Sequence, residues 1–103
     1  MKQLEDEFHA AMITTYEEGV KQGYYPTYFM QMLHQHGGVE TAKRLLAKRE
    51  IQSGLMKLYE LGLLHSSMEA YVVKERYHPL FTEDERKEAH RRLEELGYFG
   101  KVG

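Results

Sequence analysis

The stretch His34-Gln35-His36-Gly37-Gly38 holds residue types that could do chemistry at short range: a His-x-His pair as a metal clip, or paired glycines before a helical run as a phosphate cradle. On a helix, residues two apart project about 200° from each other, so His34 and His36 cannot face one ion while the helix is intact. Zinc needs three or four ligands, and His9, His65, His78 and His90 stand at no recognisable ligand spacing. No metal site is expected. Gly37-Gly38 belongs to neither the Gly-x-x-x-x-Gly-Lys-Ser/Thr nor the Gly-x-Gly-x-x-Gly pattern, and Glu40 places a carboxylate in the first turn, where an anion would have to sit. The two glycines are therefore predicted to form a helix–helix corner, Gly37 ending one helix and Gly38 allowing a tight turn into the next.

Other constellations are weaker. Asp6-x-x-His9 and Glu75-x-x-His78 have the local spacing of carboxylate-bridged di-iron helices, but such sites need carboxylates from two further helices, and Pro79 cuts the second pair short. Ser53, Ser66 and Ser67 lie beside no general-base pattern, and the chain has no cysteine, which removes thiolate catalysis, disulfides and cysteine-based zinc sites together. No catalytic, cofactor-binding or metal-binding residue is expected, and no cofactor. Two clusters carry positive charge: Lys43, Arg44, Lys48 and Arg49, then Arg86, Lys87, Arg91 and Arg92. In the second, Glu83 precedes Lys87 by four and Glu88 precedes Arg92 by four, spacings that neutralise charge along a helix. The first cluster is thus the candidate nucleic-acid contact. Eight tyrosines are present, and Tyr24, Tyr25 and Tyr28 gather beside Phe29. Such a cluster serves as partial core or, where exposed, as a partner surface. Met12, Met30, Met32, Met56 and Met68 read as core filling.

Helices must position these groups. Leu4, Phe8, Ala11, Met12 and Thr15 form one stripe of a first helix that should stop between Gly19 and Gly23. Tyr24-Tyr25-Pro26 makes a linker, Phe29, Met30 and Leu33 give a second short helix its buried side, and Val39, Ala42, Leu45 and Leu46 give a third. Residues 48–53 read as a connection, with Ser53 as N-cap of a fourth helix carrying Leu55, Leu58 and Tyr59. Leu58 to Leu63 and Leu93 to Tyr98 share one punctuation, a glycine at Gly62 or Gly97 that suits a Schellman end. Ser66-x-x-Glu69 and Thr82-x-x-Glu85 have capping-box spacing, and Met68, Tyr71 and Val72 suit a helix that Pro79 ends near His78. Ala89, Leu93 and Leu96 line the last helix.

These elements predict an all-α fold, a compact single-domain orthogonal bundle of about five to six short helices spanning residues 1–103. The composition, 42% hydrophobic and 29% charged, is that of a globular chain, and no apolar run is long enough to cross a bilayer. The acid-bearing start MKQLEDEFHA is unlike a secretory signal, so a cytoplasmic location is expected, with no membrane partner. A formal charge of −2 draws the whole molecule toward neither nucleic acid nor acidic lipid.

With those residues in view, the chain resembles a family of uncharacterised all-helical bacterial proteins of about one hundred residues. The likeness rests on GGVETAKRLL at Gly37 to Leu46, SGLMKLYELGLLHSSMEAYVV at Ser53 to Val73 and LFTEDERKEAHRRL at Leu80 to Leu93. It covers most of the chain after the first helix. In that pattern an arginine often follows the glycine found here as Gly62, whereas this chain has Leu63, so a binding role for that arginine would be absent. The resemblance implies an all-helical fold and a bacterial or phage source, and no catalytic residue. The expected function is a small non-catalytic protein-interaction or accessory module, its partner another protein or a second copy in a homo-oligomer, with Tyr24, Tyr25 and Tyr28 as contact residues. The alternative is a nucleic-acid-binding module using Lys43, Arg44, Lys48 and Arg49.

Overall fold

The computed structural model describes residues 2–48 and 53–100, and every regular element among them is helical. Helix α1 (Lys2–Lys21) buries Phe8, Met12, Thr15 and Gly19, the stripe that helical spacing requires. It closes on a Schellman end, with the Tyr24 N–H donating to the Gly19 carbonyl at 2.9 Å and the Gly23 N–H to that of Val20 at 2.9 Å. The same pair of bonds ends α3 (Ser53–Glu60) at Gly62 and α5 (Glu83–Glu95) at Gly97, as the shared punctuation predicts.

Helix α2 (Thr27–Leu46) is one helix broken at Gly37, whose φ of 80° and ψ of 169° lie in a region that only glycine occupies freely. The second and third helices expected from sequence are its two arms, 27–36 and 38–46. Gly38 plays a different part from the expected one. It is buried, and a Cβ built on it would stand 2.7 Å from the Cα of His9, so its missing side chain lets the second arm lie directly on the α1 backbone. Gly37 makes the corner; Gly38 makes the contact.

Three further boundaries differ from the sequence reading. Ser53 lies inside α3 instead of capping it, and the segment 49–52 lies outside the described residues. Ser67, not Ser66, caps α4 (Met68–Val72): its Oγ accepts from the Ala70 N–H at 3.2 Å and donates to the Leu64 carbonyl at 2.7 Å. Ser66 ends a 3-10 turn (Leu64–Ser66), and its carbonyl accepts from Thr15 Oγ1 at 2.6 Å. Helix α4 stops at Val72, because Lys74 is extended (φ −68°, ψ 137°); Pro79 then lies inside a second 3-10 turn (Glu75–Leu80) instead of ending α4. The Thr82 box forms as expected, with the Glu85 N–H on Thr82 Oγ1 at 3.1 Å and the Thr82 N–H on Glu85 Oε1 at 2.8 Å.

Phe8 sits at the middle of the main core, fully buried, with the rings of Tyr77 and Phe81 edge-on at 5.2 and 5.1 Å. Leu33, Ala42, Leu46, Met68, Val72 and Ala89 close around it, and Leu55, Leu64, Ala70 and Leu93 form a second cluster. Met12, Met32 and Met68 fill core, whereas Met56 is 37% exposed, contrary to its expected role. The radius of gyration, 12.8 Å, is that of a compact chain of this length, about 13 Å for 100 residues.

Replacing Gly38 by alanine should force α1 and the second arm of α2 apart and lower the unfolding free energy by about 1–3 kcal/mol. Gly37→Ala, with open space around it but a glycine-only backbone, should cost roughly 1–3 kcal/mol through strain alone. Urea denaturation measures both, and a Gly38→Ala chain with the parent's midpoint would contradict the close approach.

Candidate functional site

The aromatic group after α1 divides into two roles. Tyr24 folds inward between the end of α1 and the start of α3: a Cβ on Gly19 would lie 3.2 Å from its Cδ2, and one on Gly54 would lie 3.2 Å from its hydroxyl. Burial pushes its phenol above the ordinary range. The Thr27 N–H then donates to the Tyr25 carbonyl at 2.7 Å, closing a tight corner around Pro26. Tyr25 and Tyr28 point outward and are 63% and 68% exposed, while Phe29 is partly buried against the core. Of the three tyrosines singled out in the sequence, two are surface groups and one is a wall.

Behind Tyr24 lies a cavity of about 80 Å³ lined chiefly by apolar side chains, among them Pro26, Phe29, Leu55, Leu58 and Met68, with Glu69 as its charged wall. Glu69 is 3% exposed, and its Oε2 accepts from Arg92 Nη1 at 3.0 Å. Arg92 is wholly buried. Its Nε donates to Glu88 Oε2 at 2.7 Å, and Nη2 donates to the Leu45 carbonyl at 3.1 Å and the Leu46 carbonyl at 3.4 Å. Burial pushes the Glu69 carboxyl above its usual range, outweighing the pull of the arginine charge. Glu88 behaves oppositely. It accepts two bonds from Arg91, at 3.0 and 2.6 Å, besides that from Arg92, and these hold its pKa down at about 2.

This arrangement takes one member of the second basic cluster, Arg92, out of the surface. The Glu88–Arg92 and Glu83–Lys87 spacings do form ion pairs, but Arg92 is core rather than surface. In the first cluster, Lys43 Nζ meets Glu85 Oε1 at 2.8 Å and lies 5.4 Å from the centre of the Phe81 ring, and Arg44 Nε meets Glu40 Oε2 at 3.1 Å. Lys48 is exposed, and Arg49 lies outside the described residues. Two of the four cations, Lys43 and Arg44, are thus already paired with carboxylates.

At the Gly37 corner, His34 is exposed and His36 half-buried. His36 does share an open surface depression with Asp6, His9 and Glu40, a juxtaposition that the His34–His36 spacing gave no sign of. Only the packing of the second arm on α1 creates it. The His9 Nδ1 is buried without a hydrogen-bond partner among the described residues, and among those residues no three His, Asp or Glu side chains are placed to hold a metal ion. Compared with protein-family models, curated proteins and solved structures, the chain matches none.

Because the folded pKa of Glu88 is lowered, its stabilising contribution is present above about pH 4.5 and is lost as pH falls toward 2. Glu88→Gln should therefore be least stable relative to the parent at neutral pH, with the gap closing below about pH 4, read by urea denaturation across pH. Arg92→Met, which strands Glu69 in the interior, should cost about 3–5 kcal/mol, and adding Glu69→Leu should return a large part of that loss. Additive losses in the double variant would show that the two side chains are not coupled.

Proposed function

We propose that the chain acts by binding another protein, as a small non-catalytic interaction or accessory module of the cytoplasm, with Tyr25 and Tyr28 as its principal contacts. The observation that carries this reading is their exposure, 63% and 68%, on a corner whose backbone is held by Pro26 and the Tyr25–Thr27 bond. Tyrosine offers a broad apolar face and a polar tip at low entropic cost, which favours it as an interface anchor. The cavity behind the corner, about 80 Å³, is far below the roughly 300–1,000 Å³ of pockets that enclose small-molecule substrates. The corner thus offers a partner an exposed surface instead of an enclosing pocket.

The reading of Lys43, Arg44, Lys48 and Arg49 as a nucleic-acid contact is the weaker one, because Lys43 and Arg44 are already engaged by Glu85 and Glu40. A second copy of the chain is one partner among those proposed, and sedimentation of the purified protein distinguishes it.

The double variant Tyr25→Ser/Tyr28→Ser should unfold within about 0.5 kcal/mol of the parent, since both side chains are exposed. In affinity capture from the native host followed by mass spectrometry, the parent should retain a stoichiometric protein that the double variant loses. Identical capture by the two chains would sink the assignment.

A further inference from the structure

Away from the tyrosine corner, an open groove of about 360 Å³ separates α5 from the second 3-10 turn, lined by Val73, His78, Glu83, Arg86, Lys87 and His90. Positions 83, 86, 87 and 90 recur at helical spacing, so α5 presents them on one face. The charge in this groove is unevenly satisfied. Arg44, Arg76, Arg91 and Arg92 all pair with carboxylates, whereas among the described residues Arg86 pairs with none. Among those residues it donates through Nη1, to the carbonyls of Phe81 at 2.9 Å and His78 at 3.5 Å. Lys87 reaches Glu83 at 3.8 Å with both side chains more than 70% exposed, a loose pair that water screens. One guanidinium edge and one ammonium thus face a single carboxylate.

An aromatic surface adjoins the same groove. The imidazole of His90 lies nearly flat against the ring of Phe99, with centroids 4.3 Å apart and planes at 18°, and Phe99 is 47% exposed. Cations beside an exposed stacking surface are the two elements by which proteins hold unpaired nucleic-acid strands. We propose that this groove binds single-stranded nucleic acid, Arg86 and Lys87 taking phosphate oxygens and the His90–Phe99 stack taking a base. A guanidinium matches the geometry of a phosphate, and the ring stack gives an unpaired base a contact that a duplex keeps hidden and an acidic peptide cannot use. This goes beyond the protein-binding reading and shares no residue with it.

Fluorescence anisotropy of a labelled ten-nucleotide single strand, titrated with the full chain at low salt, tests the assignment. Binding should weaken with salt at a logarithmic slope of about −0.7 for each phosphate neutralised. Phe99→Ala should weaken it about tenfold, and Lys87→Gln should weaken it while making the slope shallower by about 0.7. Both positions are exposed, so the variants should stay folded, as circular dichroism would verify, whereas Arg86 also holds two carbonyls and is a poorer probe. Lys43→Gln/Arg44→Gln and Tyr25→Ser/Tyr28→Ser should bind as the parent does. The proposal is overturned by absence of binding at low salt, by binding that Phe99→Ala and Lys87→Gln leave unchanged, or by polyglutamate that competes as tightly as the oligonucleotide.

Discussion

One buried guanidinium ties the ends of α2, α4 and α5 together. Moving a charge out of water costs several kcal/mol even after relaxation, so Arg92 can be wholly buried only if its donors are answered. Four acceptors do so: Glu88 on its own helix, Glu69 on α4, and the carbonyls of Leu45 and Leu46 at the end of α2. Those last carbonyls stand in the final turn of α2, at the negative end of its dipole, so the arginine serves as a remote cap as well as an ion-pair partner. The position of α4, a single turn with little cohesion of its own, follows from this link and from the apolar residues on either side of it.

The rest of the molecule is organised around α1. Its buried stripe meets both arms of α2, and Phe8 collects the aromatic rings of the second 3-10 turn and the residue after it. Glu7 fastens the same turn from outside, accepting from Arg76 and from the Tyr77 hydroxyl at 2.7 Å, and its pKa is held down at about 2 by the arginine first and the tyrosine second. These attachments fix the segment between α4 and α5, and that segment supplies His78 to the groove. The tyrosine corner is set by a different device, the Schellman end of α1 followed by Pro26.

Much of the helical plan was legible because it rests on local chemistry. The Thr82 box, the glycines after α3 and α5, and the stripe of α1 each depend on residues a few positions apart, which a linear reading can see. What stayed hidden depends on long-range packing. Glu88-x-x-x-Arg92 looks like any surface pair, and the one sign of burial was that position 92 falls beside Ala89 and Leu93 on the apolar side of α5. The spacing of Ser66 and Glu69 points to a cap, and nothing local distinguishes Ser66 from Ser67. Tyr24, Tyr25 and Tyr28 share a residue type, so only the folded chain separates the wall from the two exposed rings. Whether a cation is neutralised across helices, as Lys43 is by Glu85, is invisible to spacing within one helix.

The seam between α1 and the second arm of α2 has a property that ordinary helix packing lacks. At Gly38 one side of the contact contributes main chain alone, so no rotamer there has to be frozen when the contact forms and none can melt while it persists. Side-chain interfaces loosen by degrees, one torsion after another. This one has no such intermediate settings at its tightest point, where one of the two rods offers main chain alone.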